Sequence, residues 1–120
     1  MKKAVVIVRT DPLKVLVGRW LKEMGYETLS SDEPSRLTKL IDTALAGEGG
    51  IDLTVAEVGA ANWLPYVRYM ADKVRRIVVT YSPMDKKEAI EEALAGLKNV
   101  QLLEVPIGEM ATFRTAVEKQ

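Results

Sequence analysis

Five short apolar runs, each followed by a stretch with helical spacing, constrain this chain more than any other feature. The first, Lys3 to Val8, shows no alternation of polar and apolar residues. A run of that kind fits a strand buried on both faces. After it, Asp11-Pro12 reads as a helix N-cap followed by proline in the first turn. Leu13, Leu16, Val17, Trp20, Leu21 and Met24 then recur at i, i+3, i+4, i+7, i+8 and i+11, and Gly25 stops the helix. Trp20 falls on that stripe and is expected in the core.

The alternation continues along the chain. Glu27 to Leu29 is a weak second strand. Pro34 opens a second helix, whose stripe of Leu37, Leu40, Ile41, Ala44 and Leu45 is broken by Gly47-Glu48-Gly49-Gly50. Asp52 to Val58 is the third strand, and Trp63 to Lys73 the third helix. Arg76 to Tyr81 is the fourth strand. Ser82-Pro83-Met84-Asp85 has the spacing of a capping box and predicts a helix from there to Leu94 or Ala95, closed by Gly96. Val100 to Val105 is the fifth strand. Pro106 and Gly108 lead into a last helix through Met110, Phe113 and Val117.

Strands alternating with helices predict an α/β fold, a (βα)5 doubly wound parallel sheet in three layers. At 120 residues the chain matches a single domain over 1–120. The flavodoxin-like strand order 2-1-3-4-5 suits five such units, and its site lies beyond the carboxyl ends of the strands, at the switch point between the first and third. The residues to inspect are therefore Arg9, Thr10 and Asp11, then Glu57 to Gly59, Thr80 to Ser82, and Val105-Pro106.

Composition narrows the chemistry available there. The chain has no Cys and no His. Thiolate metal sites, disulfides and thiol nucleophiles are thereby excluded, as are a Ser-His-Asp triad and a histidine phosphocarrier. Its 17 basic and 17 acidic residues cancel, so net charge gives no pull toward nucleic acid or an anionic membrane. Lys73, Arg75 and Arg76 are too few to argue otherwise. No apolar run approaches the roughly 18 residues of a bilayer span. The N-terminus does not read as a signal peptide, which makes a cytoplasmic location the expectation. Gly47-Glu48-Gly49-Gly50 follows a helix and has no Lys-Ser/Thr, so it is not a phosphate loop.

At its strand ends the chain resembles the response-regulator receiver domains of two-component signalling. The resemblance runs over nearly the full length. It is carried by Asp11-Pro12, Lys22-Glu23-Met24-Gly25-Tyr26, Ile51-Asp52-Leu53, Val79-Thr80, Ala93-Leu94-Ala95-Gly96 and Pro106. A working receiver has two acids after strand 1, a phosphoacceptor Asp ending strand 3, a Ser or Thr after strand 4 and a Lys before the proline after strand 5. The carboxylates hold Mg²⁺, and metal and Lys together neutralise the transferring phosphoryl group.

In this chain the acidic pair falls on Arg9-Thr10, or on Val8-Arg9 if the helix is aligned from its end; neither register supplies two acids. The phosphoacceptor position falls on Glu57, the Lys position on Val105 with Glu104 beside it, and the aromatic of strand 5 on Leu102. Only Thr80 and Pro106 match. The resemblance therefore implies a pseudo-receiver with a degenerate phosphorylation pocket of Glu57, Arg9, Thr10, Asp11, Thr80 and Val105, with no metal, no cofactor and no catalytic residue.

Several readings stay open on sequence alone. Glu57 either mimics a phosphorylated aspartate or pairs with the Arg9 fork as an ordinary strand-end acid. Thr80 either touches Glu57 or serves as a β-branched strand residue. Asp11 is a cation ligand or an N-cap. Trp63, Tyr66 and Tyr69 are core residues or part of a contact surface. The resemblance implies a signalling module acting on a protein partner or as a homodimer, through the fourth helix, fifth strand and fifth helix. The alternative is a small-ligand-binding or catalytic domain that shares only the fold.

Overall fold

The computed structural model describes residues 2–31 and 33–118. The elements run β1 (Lys2–Ile7), α1 (Asp11–Glu23), β2 (Tyr26–Leu29), α2 (Pro34–Ala46), β3 (Ile51–Glu57), α3 (Trp63–Met70), β4 (Val74–Tyr81), α4 (Lys87–Ala93), β5 (Val100–Glu104) and α5 (Met110–Glu118). All five strands are parallel, in the order β2-β1-β3-β4-β5. This is the flavodoxin-like arrangement the sequence predicts.

The central strands are apolar on both faces because helices cover both. Ala4, Val6, Leu53, Val55 and Val78 face one way, against Leu13, Val17, Trp20 and Leu21 of α1 and Phe113 and Val117 of α5. Val5, Ile7, Ala56, Ile77 and Val79 face the other way, against Leu37 and Ile41 of α2, Val67 and Met70 of α3, and Ile90 of α4. Trp20 is in the core as expected, its ring centroid 5.5 Å from that of Phe113. No helix among the described residues is long and apolar enough to cross a membrane.

The boundaries differ from the sequence expectation at three helices. At α1 the N-cap is Thr10, not Asp11; Asp11 occupies the first turn, where its charge suits the helix dipole. The Thr10 carbonyl accepts the Lys14 N–H at 2.9 Å, but its hydroxyl makes no capping bond. Helix α3 stops at Met70 rather than Lys73, because Lys73 N–H bonds back to Met70 O at 2.8 Å and Val74 already pairs with Ile51. Helix α4 begins at Lys87 rather than at Ser82. One of the two capping-box bonds forms, Ser82 N–H to Asp85 Oδ2 at 2.8 Å, while Ser82 Oγ accepts the Met84 N–H at 3.1 Å rather than that of Asp85. These bonds close a separate turn, sealed by Asp85 N–H to Ser82 O.

Candidate functional site

The carboxyl ends of β1 and β3 meet at Glu57. Val6 and Ile7 pair with Val55 and Ala56, so the chain leaving β1 passes directly over the last residue of β3. Glu57 is 8% exposed, and both its oxygens are engaged. Oε1 accepts the backbone N–H of Arg9 at 2.6 Å and that of Thr10 at 2.9 Å. Oε2 accepts the Thr10 hydroxyl at 2.7 Å. This accounts for the missing cap: the Thr10 side chain serves Glu57 instead of its own helix. A carboxylate that accepts several N–H and O–H donors is held by charge-assisted bonds, the stronger kind.

The expected side-chain pair between Arg9 and Glu57 does not form. Arg9 contributes its main-chain N–H, and its guanidinium turns away over Gly59. A Cβ added to Gly59 would lie 3.7 Å from Arg9 Cζ, and Gly59 has φ +97°. Among the described residues no carboxylate lies within ion-pair distance of Arg9. The carboxylate takes its bonds from the two main-chain N–H groups and the Thr10 hydroxyl instead.

Thr80 is in register with Glu57 across β3 and β4 but does not touch its carboxylate. It is fully buried, its hydroxyl faces Ala56 O at 3.5 Å, and its carbonyl accepts the Val58 N–H. Asp11 is exposed on the first turn of α1 and does not line the site. Val105 does. With Thr10, Pro12, Leu16, Glu57 and Pro83 it borders an open groove of about 380 Å³. The structure thus gathers Glu57, Thr10 and Val105 around one groove, joins Arg9 to them through its backbone, and leaves Thr80 beneath and Asp11 outside.

The apolar rim of that groove, Pro12, Leu16 and Pro83, reads in the sequence as helix and turn residues rather than as part of a site, whereas Gly59 falls within the strand-end residues to inspect.

The aromatic residues of α3 divide. Trp63 and Tyr66 pack against the core, and the Tyr66 hydroxyl donates to Pro34 O at 2.9 Å. Tyr69 is exposed; its hydroxyl donates to Asp42 Oδ1 at 2.9 Å, and Lys73 Nζ sits 4.6 Å from its ring centroid. The hydrogen bond to Asp42, together with the charge of Asp42, raises the Tyr69 phenol above its ordinary pKa.

The resemblance to receivers raises the question of Mg²⁺, which asks for several oxygen ligands in octahedral array. Among the described residues Glu57 is the one carboxylate lining this groove, and its oxygens are bonded to the β1–α1 turn. Among the described residues no group of three His, Cys, Asp or Glu side chains is placed to hold a metal. The donor set does not fit the ion.

No family model matches the sequence, and no curated protein does. Solved structures do match in fold. The chemotaxis protein CheY4 of Vibrio cholerae superposes with a TM-score of 0.72 at 14% identity, covering 99% of this chain and 98% of that one. A response regulator receiver domain from Clostridium thermocellum gives 0.72 at 14% identity over 98% and 91%. The CMP N-glycosidase of Clostridium botulinum gives 0.67 at 16% identity over 94% and 97%. The chain has the fold of CheY-like receiver domains, and at these identities the likeness is one of fold.

Proposed function

We propose that this chain is a one-domain, receiver-like signalling module that does not accept a phosphoryl group and acts by binding a protein partner, in the cytoplasm. The observation that carries the reading is the occupied carboxylate. Glu57 stands where the receiver resemblance puts the phosphoacceptor, and its two oxygens take three hydrogen bonds from Arg9 and Thr10. An acceptor must offer a free oxygen to an incoming phosphorus, with cations to offset the charge. Here the oxygens are tied to the turn, and the receiver resemblance puts Val105 at the position of the neutralising Lys.

A binding role draws support from the far edge of the sheet. β5 is an edge strand, and Val100, Leu102 and Leu103 on it are only half-buried. An edge with unpaired backbone groups and apolar side chains is a ready surface for a partner or a second copy.

The deciding experiment is incubation with acetyl phosphate and Mg²⁺ followed by intact-mass spectrometry. The reading expects the unmodified mass. A stoichiometric, Mg²⁺-dependent phosphoryl adduct overturns it.

A second reading, a catalytic or small-ligand domain sharing the fold, is favoured by one observation, the likeness to the CMP N-glycosidase. Incubation with CMP and chromatography for free cytosine separates the two. Release of cytosine at a rate proportional to protein replaces the first reading with the second.

A further inference from the structure

The sheet has a second open edge, opposite β5. β2 ends the sheet there, and among the described residues no strand pairs with its outer side. Its outward backbone N–H and C=O groups are therefore open to pairing. Beside it, β1, β2 and α2 enclose an open groove of about 400 Å³. The floor is apolar, made by the half-buried Leu29 and Leu40 and the buried Ala44.

Three cations stand around this floor, Lys3, Arg36 and Lys39, and Glu27 is the one acid among the lining residues. Three cations and one acid leave the groove a net charge of +2, in a chain whose 17 basic and 17 acidic residues cancel. Among the described residues none of the three cations is in an ion pair. Lys3 Nζ lies over the last turn of α2, 3.6 Å from where a Cβ on Gly47 would stand, and the carbonyl end of that helix favours it there. Arg36 and Lys39 are exposed and three residues apart on α2. Like charges at that spacing repel, and an anion beside them relieves the repulsion.

The edge and the charges together select an occupant. Glu27 and Leu29 alternate along β2 and both line the groove, so a strand added beside β2 sets its own alternate side chains over the same floor. A second copy pairing through β2 would bring Lys3, Arg36 and Lys39 to that place and oppose cation to cation. Cations guard a strand edge against like copies, and the same cations attract an acidic strand.

We propose that β2 and its groove take up an extended acidic segment of a partner protein as a sixth strand. Its backbone bonds to the edge of β2, and its alternate carboxylates lie against Lys3, Arg36 and Lys39. The inference rests on the partner-binding reading above and gives that partner a chemistry.

The test is titration of the full chain with a fluorescein-labelled acetyl-Val-Glu-Val-Glu-Val-Glu peptide, read by fluorescence anisotropy and located by NMR of the backbone amides. The expected result is saturable binding with a Kd below about 1 mM, with amide shifts over Tyr26–Leu29. The same peptide with Lys for Glu, and one N-methylated at every residue, should each bind at least about tenfold more weakly. Arg36→Glu combined with Lys39→Glu should weaken the acidic peptide by about tenfold or more. Both side chains are exposed and a glutamate suits the first turn of α2, so the fold persists. No binding of the acidic peptide at about 1 mM overturns the proposal, as do amide shifts confined to β5. Equal binding of the N-methylated peptide overturns the added strand. Equal binding of an oligothymidine overturns the peptide in favour of any polyanion. A dimer of the free chain formed through β2 overturns the choice of an acidic partner. None of these outcomes alters the mass found after acetyl phosphate treatment, so the two readings fail separately.

Discussion

Thr10 holds Glu57 twice, through its hydroxyl at 2.7 Å to Oε2 and through its backbone N–H at 2.9 Å to Oε1. Side chain and main chain of one residue thus clamp both oxygens of one carboxylate, and the helix that Thr10 starts goes without its side-chain cap.

Thr10→Val isolates the hydroxyl half of that clamp. Valine has the same shape and leaves both N–H donors in place. A hydrogen bond to a charged group contributes about 1.5–3 kcal/mol, and partial exposure at Thr10 puts the expected loss near the lower figure. Urea denaturation followed by circular dichroism measures it. No change in midpoint would mean the hydroxyl bond contributes nothing.

Glu57 gives an inverted order of conservative changes. Glu57→Gln keeps the length: its carbonyl oxygen still accepts the two N–H groups, and its amide donates to the Thr10 oxygen. The cost is lost charge assistance, about 1 kcal/mol. Glu57→Asp keeps the charge but draws it back by roughly 1.5 Å, one carbon–carbon bond. Two N–H groups are then left to water or to nothing, a loss of about 2 kcal/mol or more. If the aspartate variant is the more stable of the two, the carboxylate is not a length-matched acceptor.

Gly59→Ala tests the backbone under the Arg9 guanidinium. The space is adequate, since the added Cβ would meet Arg9 at 3.7 Å. The conformation is not, because φ +97° lies where L residues are strained by roughly 1–2 kcal/mol. Thermal melts should show that loss, with amide shift changes confined to the loop after β3 and to Arg9.

The Tyr69 phenol is raised first by its hydrogen bond to Asp42 and next by the charge of Asp42. The neutral phenol is the donor. The bond is therefore present below the ordinary tyrosine pKa of about 10 and is lost as pH rises through the folded value. Asp42→Ala should move one of the phenolate absorbance steps to lower pH. An unaltered titration would show that the pair does not form in solution.

Much of this arrangement is legible in the residues. The stripe from Leu13 to Met24 and the unbroken run through Val5 and Val6 report burial directly, because packing selects side chains. What escaped detection depends on the main chain. Every residue but proline carries an N–H, so nothing in the letters Arg9 and Thr10 announces that their amides, rather than a guanidinium, would meet Glu57. The cap fell on Asp11 because Asp is the better cap by type; the start at Thr10, whose hydroxyl is engaged by Glu57, is a tertiary fact. Ser82 and Asp85 form one of the two bonds their spacing implies, and local bonding of that kind closes a turn as readily as it opens a helix.

The clamp also bears on time rather than on structure. It joins residues 47 and 48 positions apart, and it closes only after β1 has found β3. Contacts of such separation form late in folding, because loop closure must come before they are rewarded. Their loss should quicken unfolding and leave the folding rate nearly untouched. Stopped-flow measurements on Thr10→Val would then place its whole effect on the unfolding arm, making the strand-end carboxylate a brake on opening.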